Sequence, residues 1–141
     1  MSTIAENIAQ IEEDFSLFDQ WVDKYAYLID LGRSLPLIDE QDKNPDHLIR
    51  GCQSQVWLAA RMDSEGRVIF TADSDALITK GIIALLVRIL SGQPAQDIAS
   101  ADLSFIDRIG LSAHLSPTRA NGLAEMIRQM KLYAAALAAR Q

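Results

Sequence analysis

The sequence predicts an α+β domain in which a small antiparallel β-sheet packs against several helices. Apolar residues recur at helical spacing near both ends of the chain, and a hairpin of alternating side chains lies between them. The hairpin is followed by a segment that is apolar around most of a helical circumference, which is typical of a buried helix. With 141 residues, the chain fits a single domain over 1–141, long enough to form a core without disulfides or a structural metal.

Two helices are predicted before the hairpin. Thr3 and Glu6 have the spacing of a capping box, and the apolar pattern that follows extends to about Ser16. A second helix is expected over about 17–31, with Gly32 just past its end as a stop signal. The polar segment 33–50, which contains two prolines, then leads to the cysteine and is expected to be an irregular loop.

The hairpin is predicted from two runs of alternating side chains, 56–62 and 68–72, joined by turn residues at 63–66. Two strands alone are marginally stable in water. We therefore expect either a third strand, built from residues around Leu48, or helices that cover one face of the hairpin.

The segment after the hairpin is expected to be the central helix of the domain. Ser74 or Asp75 can cap its beginning, and Gly92 is expected to end it. Gly81 lies in its interior and costs about 1 kcal/mol relative to alanine. This glycine therefore predicts the close approach of another backbone, either the sheet or the segment that holds Cys52.

Three further helices are predicted in the last third of the chain. One begins near Pro94, and one spans about 103–109 and ends at Gly110. The last begins with Ser116 as its cap and a proline in its first turn, and it extends to about Ala139.

Composition excludes several classes of protein. A net charge of −6 argues against a nucleic-acid partner, and the longest apolar stretch, about 82–90, is too short to span a membrane. The first residues lack the basic and apolar regions of a signal peptide. One cysteine cannot form an intramolecular disulfide, so a cytoplasmic location in a reducing compartment is expected.

Cys52 is the candidate reactive residue. Gly51 before it permits a tight turn that would present the thiol at a loop tip, and the neighbouring Arg50 is expected to favour the thiolate. The alternative is an inert cysteine that serves as a small buried apolar side chain. A metal site is not expected, because Cys52, His47 and His114 supply fewer than the four ligands of a structural zinc site and lack its paired spacing.

Four motifs of the chain resemble, in the same order, those of the SufE family of sulfur-transfer proteins. They are Gly-Cys-Gln-Ser-Gln-Val-Trp at 51–57, Asp-Ser-Asp-Ala at 73–76, Lys-Gly at 80–81 and His-Leu-Ser-Pro-Thr-Arg at 114–119. The similarity extends over about 15–137 and implies a SufE/IscU-like α+β fold.

The resemblance implies a function for Cys52. It would accept a sulfane sulfur from a cysteine desulfurase, enhance that enzyme, and carry a persulfide to a scaffold for iron–sulfur cluster assembly. The pyridoxal phosphate would belong to the desulfurase, so no cofactor is expected on this chain. Whether such a protein is an enzyme is a matter of definition, because its thiol reacts covalently but is regenerated only through its partners.

The resemblance also indicates residues that would shape the partner surface or control how readily the cysteine loop opens. They are Arg50, Gly51, Gln53 and Ser54 in the loop, and Asp75, His114 and Arg119 outside it. The alternatives are roles without function. Arg50 would be a solvated loop charge, Gln53 and Ser54 would hold the turn, and Asp75 would cap a helix. His114 would be a hydrogen-bonded or surface histidine, and Arg119 a surface charge in the first turn of a helix. Since a persulfide needs shielding from reductants, Cys52 is expected to rest in an apolar pocket and to be exposed on docking.

A second function stays open from the sequence. The chain could be a non-catalytic interaction module with a structural cysteine that binds a partner through its acidic surface. A redox sensor is disfavoured because no resolving cysteine is present. The identity of the desulfurase, the branch of the family, the final sulfur recipient and the oligomeric state, including a homodimer, are left open.

Overall fold

The computed structural model describes residues 2–140, which form seven α-helices and one three-stranded antiparallel sheet. This confirms the predicted α+β class. The helices are α1 (Ile4–Ser16), α2 (Trp21–Arg33), α3 (Leu77–Leu90), α4 (Ala95–Ala99), α5 (Phe105–Arg108), α6 (Leu111–His114) and α7 (Pro117–Ala138). The strands are β1 (Val56–Met62), β2 (Arg67–Ser74) and β3 (Gln93–Pro94), and short 3-10 helices cover Glu40–Asp42 and Pro45–His47.

The predicted hairpin is confirmed, since β1 pairs with β2 from Val56 opposite Ser74 to Met62 opposite Val68. The third strand is β3, which adds to the other side of β2. It does not come from the residues around Leu48, which makes only an isolated bridge to Trp57. Gly92, with a φ of +82°, lies at the turn between α3 and β3, and its nitrogen donates a hydrogen bond to the Val68 carbonyl of β2.

Helix α3 is the centre of the core, as predicted, because ten of its fourteen residues are buried. It contacts α2 on one side, and β2, α1 and α7 on others. Phe70 from β2, Leu28 from α2 and Met130 from α7 are all fully buried in the same apolar cluster.

The contact between α2 and α3 corrects two expectations from the sequence. Gly32 does not stop α2, which continues to Arg33, and it is buried inside the helix. The backbone that approaches Gly81 is that of α2, not the sheet or the cysteine segment: a Cβ atom at Gly81 would overlap the carbonyl oxygen of Leu28. Two glycines in neighbouring helices thus allow the backbones to touch.

The ends of the helices follow the predicted signals at two positions and depart from them at two others. Thr3 forms the capping box of α1, and the Ser116 hydroxyl accepts a hydrogen bond from the backbone of Arg119 at the start of α7. However, α2 begins at Trp21 instead of near residue 17, and the N-cap of α3 is Ala76. Ser74 and Asp75 do not cap α3 because their side chains bind Gln55 instead.

The short helix α6 was not predicted. It begins after Gly110, whose φ is +80°, and it lies directly before the start of α7. None of the helices found in residues 2–140 is both long enough and apolar enough to cross a membrane.

Replacing Gly81 with alanine should destabilise the protein. Alanine is intrinsically the better helix former, but its Cβ would collide with backbone atoms of Leu28 that cannot rotate away. We expect a net loss of about 1–3 kcal/mol in the free energy of unfolding, measured by urea denaturation. Gly32→Ala is the matched control, because its Cβ would lie 3.3 Å from the Gly81 nitrogen and needs a smaller shift. A Gly81→Ala variant as stable as the native protein would contradict the proposed contact.

Candidate functional site

The loop that carries Cys52 spans residues 50–55, between Ile49 and the first residue of β1. At its base, the Ile49 nitrogen donates a hydrogen bond to the Val56 carbonyl at 2.8 Å. Gly51 has a φ of +89°, which confirms the predicted tight turn before the thiol. A side chain at this position would also meet Glu125 of α7, whose Cγ would lie 3.0 Å from a Cβ atom. The backbone angle therefore favours glycine here, and any other side chain would also have to displace Glu125.

Cys52 rests against α7. Its Sγ lies 3.7 Å from the carbonyl oxygen of Gly122 and donates a weak hydrogen bond to it. A Cβ atom at Gly122 would stand 3.2 Å from Sγ, so the absence of a side chain there makes room for the thiol. Gly122 was not predicted from the sequence, although a glycine inside a predicted helix costs about 1 kcal/mol and indicates a close contact.

A cavity of about 300 Å³ opens beside the half-buried thiol. Its walls come from the cysteine loop, the first half of α3 and the first half of α7: Cys52, Gln53, Ser54, Thr79, Ile82, Thr118, Arg119, Gly122 and Met126. The expectation of an apolar pocket is therefore wrong in part. The cavity has apolar walls at Ile82 and Met126, but hydroxyl, amide and guanidinium groups surround the rest.

The surroundings of Cys52 favour the neutral thiol. Burial raises the pKa of Cys52, and the negative charge of Glu125 raises it further. The expectation that Arg50 promotes the thiolate is wrong, since Arg50 is exposed and the pKa moves in the opposite direction. In its resting position, Cys52 is thus a weaker nucleophile than an exposed cysteine at neutral pH.

Asp75 holds the far end of the loop. Its carboxylate accepts a hydrogen bond from the Gln55 nitrogen at 3.0 Å, and the Ser74 hydroxyl donates to the Gln55 carbonyl at 2.8 Å. Asp75 is exposed, whereas Asp73 and Ser74 are buried. This segment therefore lies next to the cysteine loop and restrains it at one end.

Of the two remaining candidates from the last motif, Arg119 is at the cavity and His114 is not. Arg119 lines the cavity from the first turn of α7. His114 stacks on Trp21, with ring centroids 3.8 Å apart, and its Nδ1 donates to the Gly110 carbonyl at 2.9 Å. The Tyr25 hydroxyl donates to the His114 carbonyl at 2.6 Å. These contacts give His114 a structural role that ties α2 to the turn before α7.

Two other features bear on where the functional site lies. Within residues 2–140, no group of three or more histidine, cysteine, aspartate or glutamate side chains is arranged to hold a metal ion. A larger cavity of about 600 Å³ lies between α2 and the second half of α3, where Tyr27 and Arg88 contribute to its lining. It contains no cysteine or histidine, and we therefore assign the candidate site to the smaller cavity beside the thiol.

Comparison with known proteins agrees with this architecture. The family model described as "SufE: Fe-S metabolism associated domain" matches residues 9–134. Among solved structures, the solution structure of a hypothetical protein from Thermus thermophilus superimposes with a TM-score of 0.78. The alignment covers 94% of this chain and 96% of that chain at 17% sequence identity, which supports a shared fold.

Replacing Glu125 with glutamine should make Cys52 more reactive. The change keeps the shape that packs on Gly51 but removes the charge that raises the pKa of the thiol. Alkylation by iodoacetamide follows the thiolate fraction, so we expect the rate near pH 7.5 to rise about two- to fivefold. The full dependence of the rate on pH should shift to lower pH without a change in its plateau.

Glu13→Gln on α1 is the control for this experiment, because it makes the same change in net charge on an exposed residue of another helix. Alkylation of this control should follow the native profile. If alkylation of Glu125→Gln also follows the native profile, burial alone raises the pKa of Cys52.

Proposed function

Because this chain belongs to the SufE family, whose domain is associated with iron–sulfur metabolism, we propose that it is a sulfur acceptor for a cysteine desulfurase. Cys52 receives the sulfur. Removal of this sulfur from the desulfurase frees the enzyme's cysteine for another turnover. One observation carries the proposal: the single cysteine of the chain lies on a glycine-hinged loop beside a cavity of about 300 Å³.

Sulfur transfer requires only one cysteine on each protein. The Cys52 thiol loses its proton, and the thiolate attacks the outer sulfur of a persulfide on the desulfurase cysteine. A new sulfur–sulfur bond forms on Cys52 while the bond in the donor persulfide breaks. The donor cysteine leaves as a thiolate and takes up a proton. No external oxidant or reductant is needed, since the sulfane sulfur keeps its oxidation state.

Docking would activate the thiol by moving it away from α7. At rest, burial and Glu125 raise the pKa of Cys52. A loop that swings out removes both influences, because Glu125 remains on the helix and the thiol enters solvent or the partner's site. Gly51, with its left-handed backbone angle, would provide the point of rotation. The nucleophile would then form only where a donor is present.

After transfer, the loop would return and shelter the persulfide in the cavity. The volume of about 300 Å³ exceeds what one added sulfur atom requires. Arg119 on its lining would stabilise an ionised persulfide, and Ile82 and Met126 would limit access of water and reductants. A scaffold for iron–sulfur cluster assembly would be the recipient. Pyridoxal phosphate would remain in the desulfurase, and this chain would contribute no cofactor.

A second candidate function rests on the same contacts. The Cys52 thiol is half buried and donates a hydrogen bond to the Gly122 carbonyl, and its pKa is raised. These are also the properties of a structural cysteine. In that case the chain would be a non-catalytic interaction module. The two functions differ in whether Cys52 is required for sulfur transfer or only for packing.

Incubation with a cysteine desulfurase and free cysteine should add one sulfur atom to the native protein, measured by intact mass. Dithiothreitol should remove the added sulfur, since a persulfide is reduced by thiols. The Cys52→Ser variant should not gain sulfur and should not stimulate the desulfurase, although it should still bind it.

The control is the folding of Cys52→Ser, compared with the native protein by urea denaturation. If the native protein binds desulfurases but gains no sulfur from any of them, the interaction module becomes the better account. A gain of one sulfur in mass in both the native protein and the serine variant would mean that the added sulfur is not carried on Cys52, the single cysteine of the chain.

A further inference from the structure

The segment that leads into the cysteine loop is held to the sheet by a partly buried ion pair, in which the carboxylate is the buried member. Lys43 lies at the end of the first 3-10 helix, and its Nζ is 2.6 Å from Oδ2 of Asp73 in β2. Asp73 is only 9% exposed. Lys43 also contacts Glu40 at 3.0 Å and lies 5.5 Å from the ring centroid of Trp57.

This ion pair lies where the loop departs from the sheet. Asp73 is directly opposite Trp57 in the β1–β2 pairing, and Trp57 is bridged to Leu48 on the stem. Lys43 therefore fastens residues 43–49, which we call the loop stem, to the first residues of the hairpin. The other end of the loop is fastened independently through Gln55.

The charges of the pair support a firm contact. Burial by itself raises the pKa of Asp73, but hydrogen bonds from Lys43, the Ser74 backbone and Lys80 hold the pKa below its usual range. Asp73 is thus ionised at neutral pH, and the same contact raises the pKa of Lys43. A largely buried carboxylate needs such partners, so withdrawal of Lys43 is unfavourable. Lys80 of α3 is the second cation, 3.3 Å from Asp73.

Between these two anchors the loop has little to hold it. Among the described residues, the hydrogen bond from the Cys52 thiol to Gly122 is the one hydrogen bond made by residues 50–54. A segment with few contacts opens locally at a low cost in free energy, so the attachment of its two ends limits how far the thiol can move from α7.

We propose that Lys43 is a positioning residue for Cys52: its ion pair with Asp73 fixes the loop stem and confines the thiol to its place on α7. The role of this contact in sulfur transfer rests on the proposed function. The positioning itself does not, since it concerns how often Cys52 leaves α7 in the isolated protein.

The variant that tests this proposal is Lys43→Met, which keeps the length of the side chain and removes its charge. Freed of its anchor, the loop stem should open more often, and alkylation of Cys52 by iodoacetamide should accelerate about threefold or more. Hydrogen exchange of the backbone amides at 44–51, measured by mass spectrometry, should accelerate with it. Lys43→Arg, which keeps the charge, should restore values close to those of the native protein.

Lys80→Met is the matched control. It removes the other lysine from the same carboxylate, but Lys80 lies on α3 and does not hold the loop stem. Its alkylation rate should match that of the native protein, even where its free energy of unfolding falls as much as in Lys43→Met. Equal alkylation rates in the two variants, or no acceleration in either, would overturn the proposal and leave the ion pair with a role in stability alone.

Two further readouts complete the test. If Lys43→Met does not fold, Lys43→Gln serves in its place, with the same expectations. In persulfidated protein, loss of sulfur to dithiothreitol should accelerate in Lys43→Met by about the same factor as alkylation. If the native protein never acquires sulfur but Lys43→Met is alkylated faster, the positioning role stands and the proposed function fails.

Discussion

The close contact of α2 and α3 at Gly81 is the constraint on which the site depends. With these two backbones touching, α3 lies deep in the core and its first turns have one position relative to the sheet. Thr79 and Ile82 then form one wall of the cavity, and Lys80 reaches Asp73. The cysteine loop closes the space between this wall and α7. The packing of α2 against α3, neither of which carries the reactive cysteine, therefore determines the shape of the site.

The ends of the cysteine loop are held more firmly than the residues between them. The segments on either side of the loop are held by the Lys43–Asp73 ion pair and by hydrogen bonds of Ile49 and Gln55. Within the described part of the chain, residues 50–54 make one hydrogen bond, from the Cys52 thiol to Gly122. The same position that shelters the thiol also raises its pKa, through burial and Glu125. Protection and low reactivity are thus two consequences of one location, and leaving α7 reverses both. This arrangement suits a thiol that must react with a chosen partner and resist others.

Features determined by neighbouring residues could be predicted well. The capping box at Thr3, the hairpin with its turn at 63–66, and the cap and proline that start α7 all depend on contacts within a few residues. Predictions failed where a distant partner competed for the same group. Ser74 and Asp75 are suitable helix caps, but their side chains form hydrogen bonds with Gln55 instead. Gly32 resembles a stop signal, but it is buried inside α2, where it allows close packing against α3.

From the sequence alone, Cys52 could be identified as the candidate reactive residue, and four ordered motifs indicated the family that its model match confirms. The tertiary structure decided what surrounds that residue. Gly122 is 70 positions away along the chain, Glu125 approaches Gly51 from α7, and Lys43 holds the segment before the loop through its ion pair with Asp73. It also places His114 away from the cavity, and burial and Glu125 raise the pKa of Cys52, which Arg50 was expected to lower. The physical reason is that the pKa and the shelter of a thiol depend on distance and burial, which sequence spacing does not specify.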